Sequence, residues 1–403
     1  RLGGWLFARL RQPPVIGEVV GGLLLGPTIL GAWSTELFPL DTRPLLRMLA
    51  TVGLVLFMFV IGLELDHAHV RGRTRLAGSV AVAGTVVPFA LGVGLALLLA
   101  SSYPNGDTLA FTLFMGAAMS ITAFPVLARI LKERDLYTRP LGGLAMACAA
   151  GDDVLTWITL ALVVAMATSA GAGSFAVTVV LSVVFCAGMV KVVRPRLARF
   201  EDAELTPTAF ALVMIGILVS SFVTSAIGIH EIFGAFLFGA VFPRGALAQR
   251  LRDRLASMTL VLLPVFFVTT GLGVDVSGLP GDAWWQLAAI LVVAVVGKFA
   301  GGIIGARTQG LRMRESAALG ALMNTRGLTE LVVLNIGHDL GVIDDHLFTM
   351  LVVMAVVTTV ATGPLLDLIR PDPDLGAKPA PDPDAVTEDE QEDTVDPPSE
   401  AGP

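Results

Sequence analysis

Residues 144–162 read LAMACAAGDDVLTWITLAL, a run of nineteen whose only charges are the adjacent Asp152 and Asp153. A bilayer core is crossed by about 20 apolar residues in a helix, and the apolar character of this segment continues on both sides. An ionisable group at mid-bilayer costs roughly 2.5–3.5 kcal/mol on insertion scales, so two of them side by side require a reason. Neighbouring helical residues point ~100° apart, because a turn takes 3.6 residues. One carboxylate can therefore face a fixed partner while the other faces a cavity. Two carboxylates this close also resist ionising together, so a proton and a cation compete for the place.

The rest of the chain is of the same kind. Over 403 residues it is 54% hydrophobic and 15% charged, with a mean hydropathy of +0.77. Soluble domains carry about 25% charged residues, so lipid must cover much of this surface and a water-soluble globular class is excluded. Twelve stretches are long and apolar enough to cross: 14–32, 44–65, 76–100, 108–131, 140–168, 173–192, 206–227, 229–243, 256–274, 283–306, 315–337 and 346–369. Cytoplasmic loops collect Lys and Arg. Of the 27 basic residues, 21 fall in six alternate segments, at 1–13, 66–75, 129–139, 191–199, 244–254 and 307–314. That alternation supports twelve crossings and a multi-pass protein of the cell membrane with both ends of this chain in the cytoplasm. Residues 371–403 carry eleven acids and one lysine against a whole-chain charge of −7, which leaves the body at +3. With almost no large apolar residue, that segment reads as a disordered acidic tail. Cys148 and Cys186 lie in apolar runs and read as packing residues. Arg1 opens on what reads as the end of a helix begun earlier.

Few other charges interrupt the apolar stretches. Lys298, in AAILVVAVVGKFAGGIIG (288–305), is the one lysine deep inside a stretch and needs a carboxylate, for which Asp152 or Asp153 is the natural candidate. Arg326 and Glu330 stand four apart on one helix face; they can pair with each other or with Glu18 or Glu231, holding a helix break in place. Two stretches carry breakable centres. In MGAAMSITAFPVLARIL (115–131), Pro125 removes a donor and disfavours helix at Phe124, with Ser120 and Thr122 just upstream. ALMNTRGLTELVVLNIG (321–337) has Asn324, Thr325 and Gly327 at its middle. Paired interrupted helices in two halves point to a secondary-transporter site, where freed carbonyls bind a cation. The third to fifth stretches and the tenth to twelfth mirror each other from opposite starting sides, as in an inverted repeat. Gly17, Gly21, Gly22 and Gly26 give the first stretch a close-packing face, within the subunit or between subunits.

Together with QPPVIGEVVGGLLLGPTILG (12–31), LFMFVIGLELD (56–66), SITAFPVLARILKERDL (120–136), HEIFGAFLFGAVFP (230–243), LLPVFFVTTGLGVD (262–275) and GKFAGG (297–302), these motifs resemble, in order over about 10–370, the monovalent cation:proton antiporter-2 family. The resemblance implies an all-α polytopic membrane protein with the sodium/proton antiporter-like inverted-repeat fold, two broken helices crossing at mid-membrane. It implies exchange of Na⁺ or K⁺ for H⁺ by an elevator motion in a homodimer. The dimerisation part would be about 14–65 and 206–275, the moving core about 76–168 and 283–369, and a linker helix about 173–192. Carried over by position, Asp153 binds the cation and the proton, Asp152 pairs with Lys298, and Ser120 and Thr122 lie near the ion. No cofactor is implied beyond the cargo, and the partners implied are lipid and a second copy, not nucleic acid. The chain departs from the family in lacking a helix before the QPPVIGE motif, which suggests truncation. It also lacks room, and a G-x-G-x-x-G, for the nucleotide-binding domain of Kef-type potassium efflux members. A cation channel is a rival reading. An intramembrane aspartyl protease is a remote one, since its two aspartates must come from different helices.

Overall fold

A computed structural model of the chain describes residues 14–31, 33–64, 74–103, 108–137, 139–168, 172–281 and 283–374, with positions 7 and 9. Within these stretches the side chains of Glu18, Pro125 and Asp153, among others, fall outside the described set, as do the expected tail beyond 374 and the loop at 65–73. The described residues form helices and connecting turns, with no strand among them. The α-helices of ten residues or more among the described residues are α1 (Pro14–Leu25), α2 (Arg43–Glu64), α3 (Thr74–Leu99), α4 (Thr108–Ser120), α5 (Phe124–Glu133), α6 (Pro140–Thr168), α7 (Ala172–Gly188), α8 (Pro207–Ile227), α9 (Glu231–Val241), α10 (Ala246–Leu272), α11 (Ala283–Arg307), α12 (Met313–Met323), α13 (Leu328–Asp339) and α14 (Asp345–Ile369). Seven helices among the described residues are long and apolar enough to cross a membrane. The chain is a multi-pass membrane protein. Its outer apolar surface agrees: on α7, Val177, Val180, Val183 and Val184 all stand exposed, which in water would be a liability and in lipid is not.

Both breakable stretches are broken. α4 stops at Ser120 and α5 starts at Phe124; α12 stops at Met323 and α13 starts at Leu328. Three other boundaries differ from the sequence reading. The first stretch divides at Gly26, where Pro27 starts a short separate helix at Pro27–Leu30. α10 begins at Ala246, ten residues before the expected 256, because its arginines are good helix formers and charge alone had marked them as loop. α7 runs on through a π-helical turn at Met189–Val193, so the basic segment there is also helical.

By packing, the helices form two groups. α1 and α2 lie on α10, α2 also on α9, and α8 on α9. In the other group α3 runs along α11, α4 and α6 pack on α3, and α12 and α14 pack on α11. The α3–α11 contact explains the glycines of the GKFAGG region. Gly297, Gly301 and Gly305 recur every four residues on the face that meets α3, while Gly302 meets α12. A Cβ on Gly297 would stand 2.9 Å from Pro88 Cα, one on Gly305 2.6 Å from Val80 Cα, and one on Gly302 2.6 Å from Gly320 Cα. The backbones touch, which is the small-residue mode of helix association in membranes. The glycine face of α1 is used within the subunit: Gly22 and Gly26 abut the backbone of α10 at Phe267 and Gly271.

Candidate functional site

The two gaps, 121–123 and 324–327, lie against each other. Ala123 N donates to Thr325 O (2.9 Å) and Thr122 Oγ1 donates to Met323 O (2.9 Å). Four half-helices thus meet at one point, with the C-termini of α4 and α12 and the N-termini of α5 and α13 all inside the protein. Helix C-termini leave carbonyls unpaired and carry partial negative charge. Three carbonyls of the α4 C-terminus are met by cations from other helices. Arg326 Nη1 donates to Ala118 O (2.5 Å) and Nη2 to Met119 O (2.7 Å). Lys298 Nζ donates to Ser120 O. All of these groups are buried.

Lys298, on α11, pairs with Asp152 on α6. Its Nζ lies 2.9 Å from Asp152 Oδ2, with both side chains wholly buried. The ammonium also donates to Thr122 Oγ1 (2.8 Å) and Gly84 O (3.1 Å). Thr85 Oγ1 on α3 donates to the other Asp152 oxygen. Arg326 pairs with Glu330 Oε2 at 2.7 Å, again with both buried. Thr359 on α14 holds the arginine backbone from both sides, accepting from Arg326 N and donating to Arg326 O, each at 2.8 Å.

Several sequence-predicted residues therefore come together here. Asp152, Ser120, Thr122 and Lys298 share one cluster, and Arg326 with Glu330 braces it from the α13 side. Ser120 contributes its carbonyl to that cluster; its hydroxyl donates to Ala117 O within α4 (2.8 Å). Asp153 follows Asp152 in the middle of α6, but its side chain lies outside the described residues, as does that of Glu18. Glu231 does not join this cluster: Arg326 is taken by Glu330, and Glu231 stands in the first turn of α9, one-third exposed, 3.4 Å from His230 Nδ1. There it lines a cavity of about 150 Å³ between α2 and α10 on one side and α13 and α14 on the other, with Arg47, His230, Asn335, His338 and Asp339. Sequence reasoning missed Thr85, Thr359 and the carbonyls of Gly84, Ala118 and Met119. Hydroxyls inside apolar runs such as AGTVVPFAL and VVTTVATG were the available signal.

Two broken helices whose gaps meet beside buried charges define the class by architecture: the all-helical membrane fold in which secondary transporters build their sites. Comparison with known proteins places the chain within it. A sequence profile described as sodium/hydrogen exchanger, transmembrane, matches residues 1–369. The Na(+)/H(+) antiporter NhaS4 of Synechocystis is 39% identical over 391 residues, covering 93% of this chain and 95% of the relative. Cation/H(+) antiporter 20 of Arabidopsis thaliana is 43% identical over 383 residues, and K(+)/H(+) antiporter 1 of Saccharomyces cerevisiae 34% identical over 388. The matches cover 89% and 91% of this chain, which spans about half the length of these plant and yeast relatives, 46% and 44%. The solved sodium proton antiporter MjNhaP1 of Methanocaldococcus jannaschii shares the fold, with a TM-score of 0.62 at 13% identity, covering 93% of this chain and 96% of that one. The chain belongs to the sodium/hydrogen exchanger family.

Proposed function

We propose that the chain is a secondary active antiporter that exchanges Na⁺ or K⁺ for H⁺, with Asp153 holding the cation and the proton in turn. The observation that carries this reading is the commitment of both buried cations: Lys298 is taken by Asp152, and Arg326 by Glu330. Two neutral pairs leave Asp153 as the next carboxylate on α6, one negative charge that a single proton or a single monovalent cation neutralises. Arrival of the cation loosens the Lys298–Asp152 pair and frees the Ser120 carbonyl and Thr122 hydroxyl for the ion. If Lys298 then sheds its proton the exchange is electrogenic; if it stays charged the exchange is electroneutral.

The remaining expectations belong to the same reading. The group of α3–α6 and α11–α14 moves as a core (about 76–168 and 283–369) against the dimerising part (about 14–65 and 206–275). α7 links them, and a second copy completes a homodimer. The arginine-rich end of the bundle faces the cytoplasm of a cell membrane. The glycine contact between α3 and α11, and the separate packing of α1, α2 and α8–α10, support two bodies of this kind. Fluorescence dequenching in everted vesicles tests the assignment. Asp153→Asn should abolish the cation-dependent collapse of the proton gradient for Na⁺, K⁺ and Li⁺ alike. Full activity in that variant sinks the assignment.

A further inference from the structure

We infer that the Asn324 carboxamide is a ligand of the transported cation and sets which monovalent ion the site prefers. This deepens the antiport reading above and rests on it. Asn324 is the first residue of the gap between α12 and α13 and is wholly buried, yet neither Oδ1 nor Nδ2 has a hydrogen-bond partner among the described residues. Asparagine beside a helix end ordinarily spends its side chain on local backbone groups. Here only the backbone does so: Asn324 N donates to Gly320 O and Ala321 O, both at 3.2 Å. The side chain makes no capping bond that would account for an amide at this place, and a buried polar group without a partner requires an explanation.

Its position supplies one. The residues on either side of Asn324 make the two bonds that join the gaps, Met323 O to Thr122 Oγ1 and Thr325 O to Ala123 N. Thr122 Oγ1 in turn accepts from Lys298, the partner of Asp152. Asn324 is thus held one residue from the cluster that positions Asp152. Thr325 Oγ1 and Thr156 Oγ1 are also buried without partners. Thr156 lies one turn beyond Asp152 and so on its face of α6. Unpaired buried oxygens thus stand one turn along α6 from Asp152 and, in the α12–α13 gap, between the two residues that bond the α4–α5 gap. Hard cations are bound by carboxylate, backbone and carboxamide oxygens. A carboxamide oxygen adds a dipole but no charge, so one carboxylate still balances one monovalent ion, and a proton can replace that ion one for one.

The test compares wild type, Asn324→Ala and Asn324→Asp in proteoliposomes, reading dequenching with Na⁺, K⁺ and Li⁺ across pH. Thermal melting is measured in parallel with and without each cation. Asn324→Ala should raise the apparent KM for the preferred ion about tenfold, a loss of ~1.4 kcal/mol, and change the ratio of KM values between ions. If the carboxamide is a ligand, Asn324→Asp puts a second acid on the ion, so protons compete better and half-maximal activity moves to higher pH. A folded Asn324→Ala protein with wild-type KM ratios overturns the inference. So does a lowered melting temperature with an equal fall in kcat for all three ions. Should the alanine variant fail to fold, the near-isosteric aspartate variant decides: an unshifted pH profile overturns the proposal. A wild-type chain that shows no cation-dependent dequenching removes the antiport reading itself, and this inference with it.

Discussion

The two buried ion pairs are built from the same charges and behave as different devices. Arg326–Glu330 is local, four residues apart across the start of α13, but its guanidinium reaches out to two carbonyls of α4, and Thr359 fastens its backbone to α14. Lys298–Asp152 is remote, joining residues 146 apart in sequence, and its ammonium faces four acceptors with three protons. A planar guanidinium that is always charged suits a fixed clamp, whereas an ammonium on a flexible stem exchanges partners and protons more readily. The pair that looks local in sequence is the brace, and the long-range pair is the one equipped to rearrange.

Substitutions can break that contrast. The largest effect should follow Arg326→Met, which strands Glu330 and leaves two α4 carbonyls unpaired; removing one member of a buried pair costs about 3–5 kcal/mol. Loss of the monodisperse peak in detergent size-exclusion checks it, and an unchanged peak removes the clamp from the account. Next comes Lys298→Met, which leaves Asp152 buried with Thr85. Adding Asp152→Asn should recover part of the loss, because a neutral amide no longer needs a cation. Melting temperatures of the single and double variants give the coupling, and additivity would mean that the pair is not energetically linked.

Smaller effects belong to the exposed ends. Arg139–Asp374 is a half-exposed pair at 3.3 Å, so Arg139→Gln should change stability by no more than ~1 kcal/mol, read as a small shift in melting temperature.

Much of this arrangement is legible in the residues. The apolar stretches announce a multi-pass membrane protein, because composition reports the solvent a helix meets; the alternating basic segments do not mark loops one for one, since those at 191–199 and 244–254 are largely helical. Both breaks announce themselves through Pro125 and through Asn324–Gly327. The pairing of Lys298 was narrowed to Asp152 or Asp153 because so few ionisable groups lie inside the apolar stretches. What could not be read depends on where a helix stops. Lys298 and Arg326 meet carbonyls of residues 118–120, and a carbonyl carries no signature in its side chain. Thr85 and Thr359 look like any hydroxyl in an apolar helix until a neighbour arrives. Glu231 misled for a simpler reason: the short stretch 229–243 showed no edge, although an acid in the first turn is itself a start signal.

The backbone contact between α3 and α11 has a mechanical consequence. Where helices are separated by leucines or valines, a detergent tail can enter and loosen them as lipid is stripped away. At Gly301 and Gly305 the backbone of α3 itself fills the space, and at Gly297 the Pro88 backbone and ring do, so a tail finds little to displace. Under an applied pulling force or during harsh solubilisation, this pair should be the last part of the bundle to come undone.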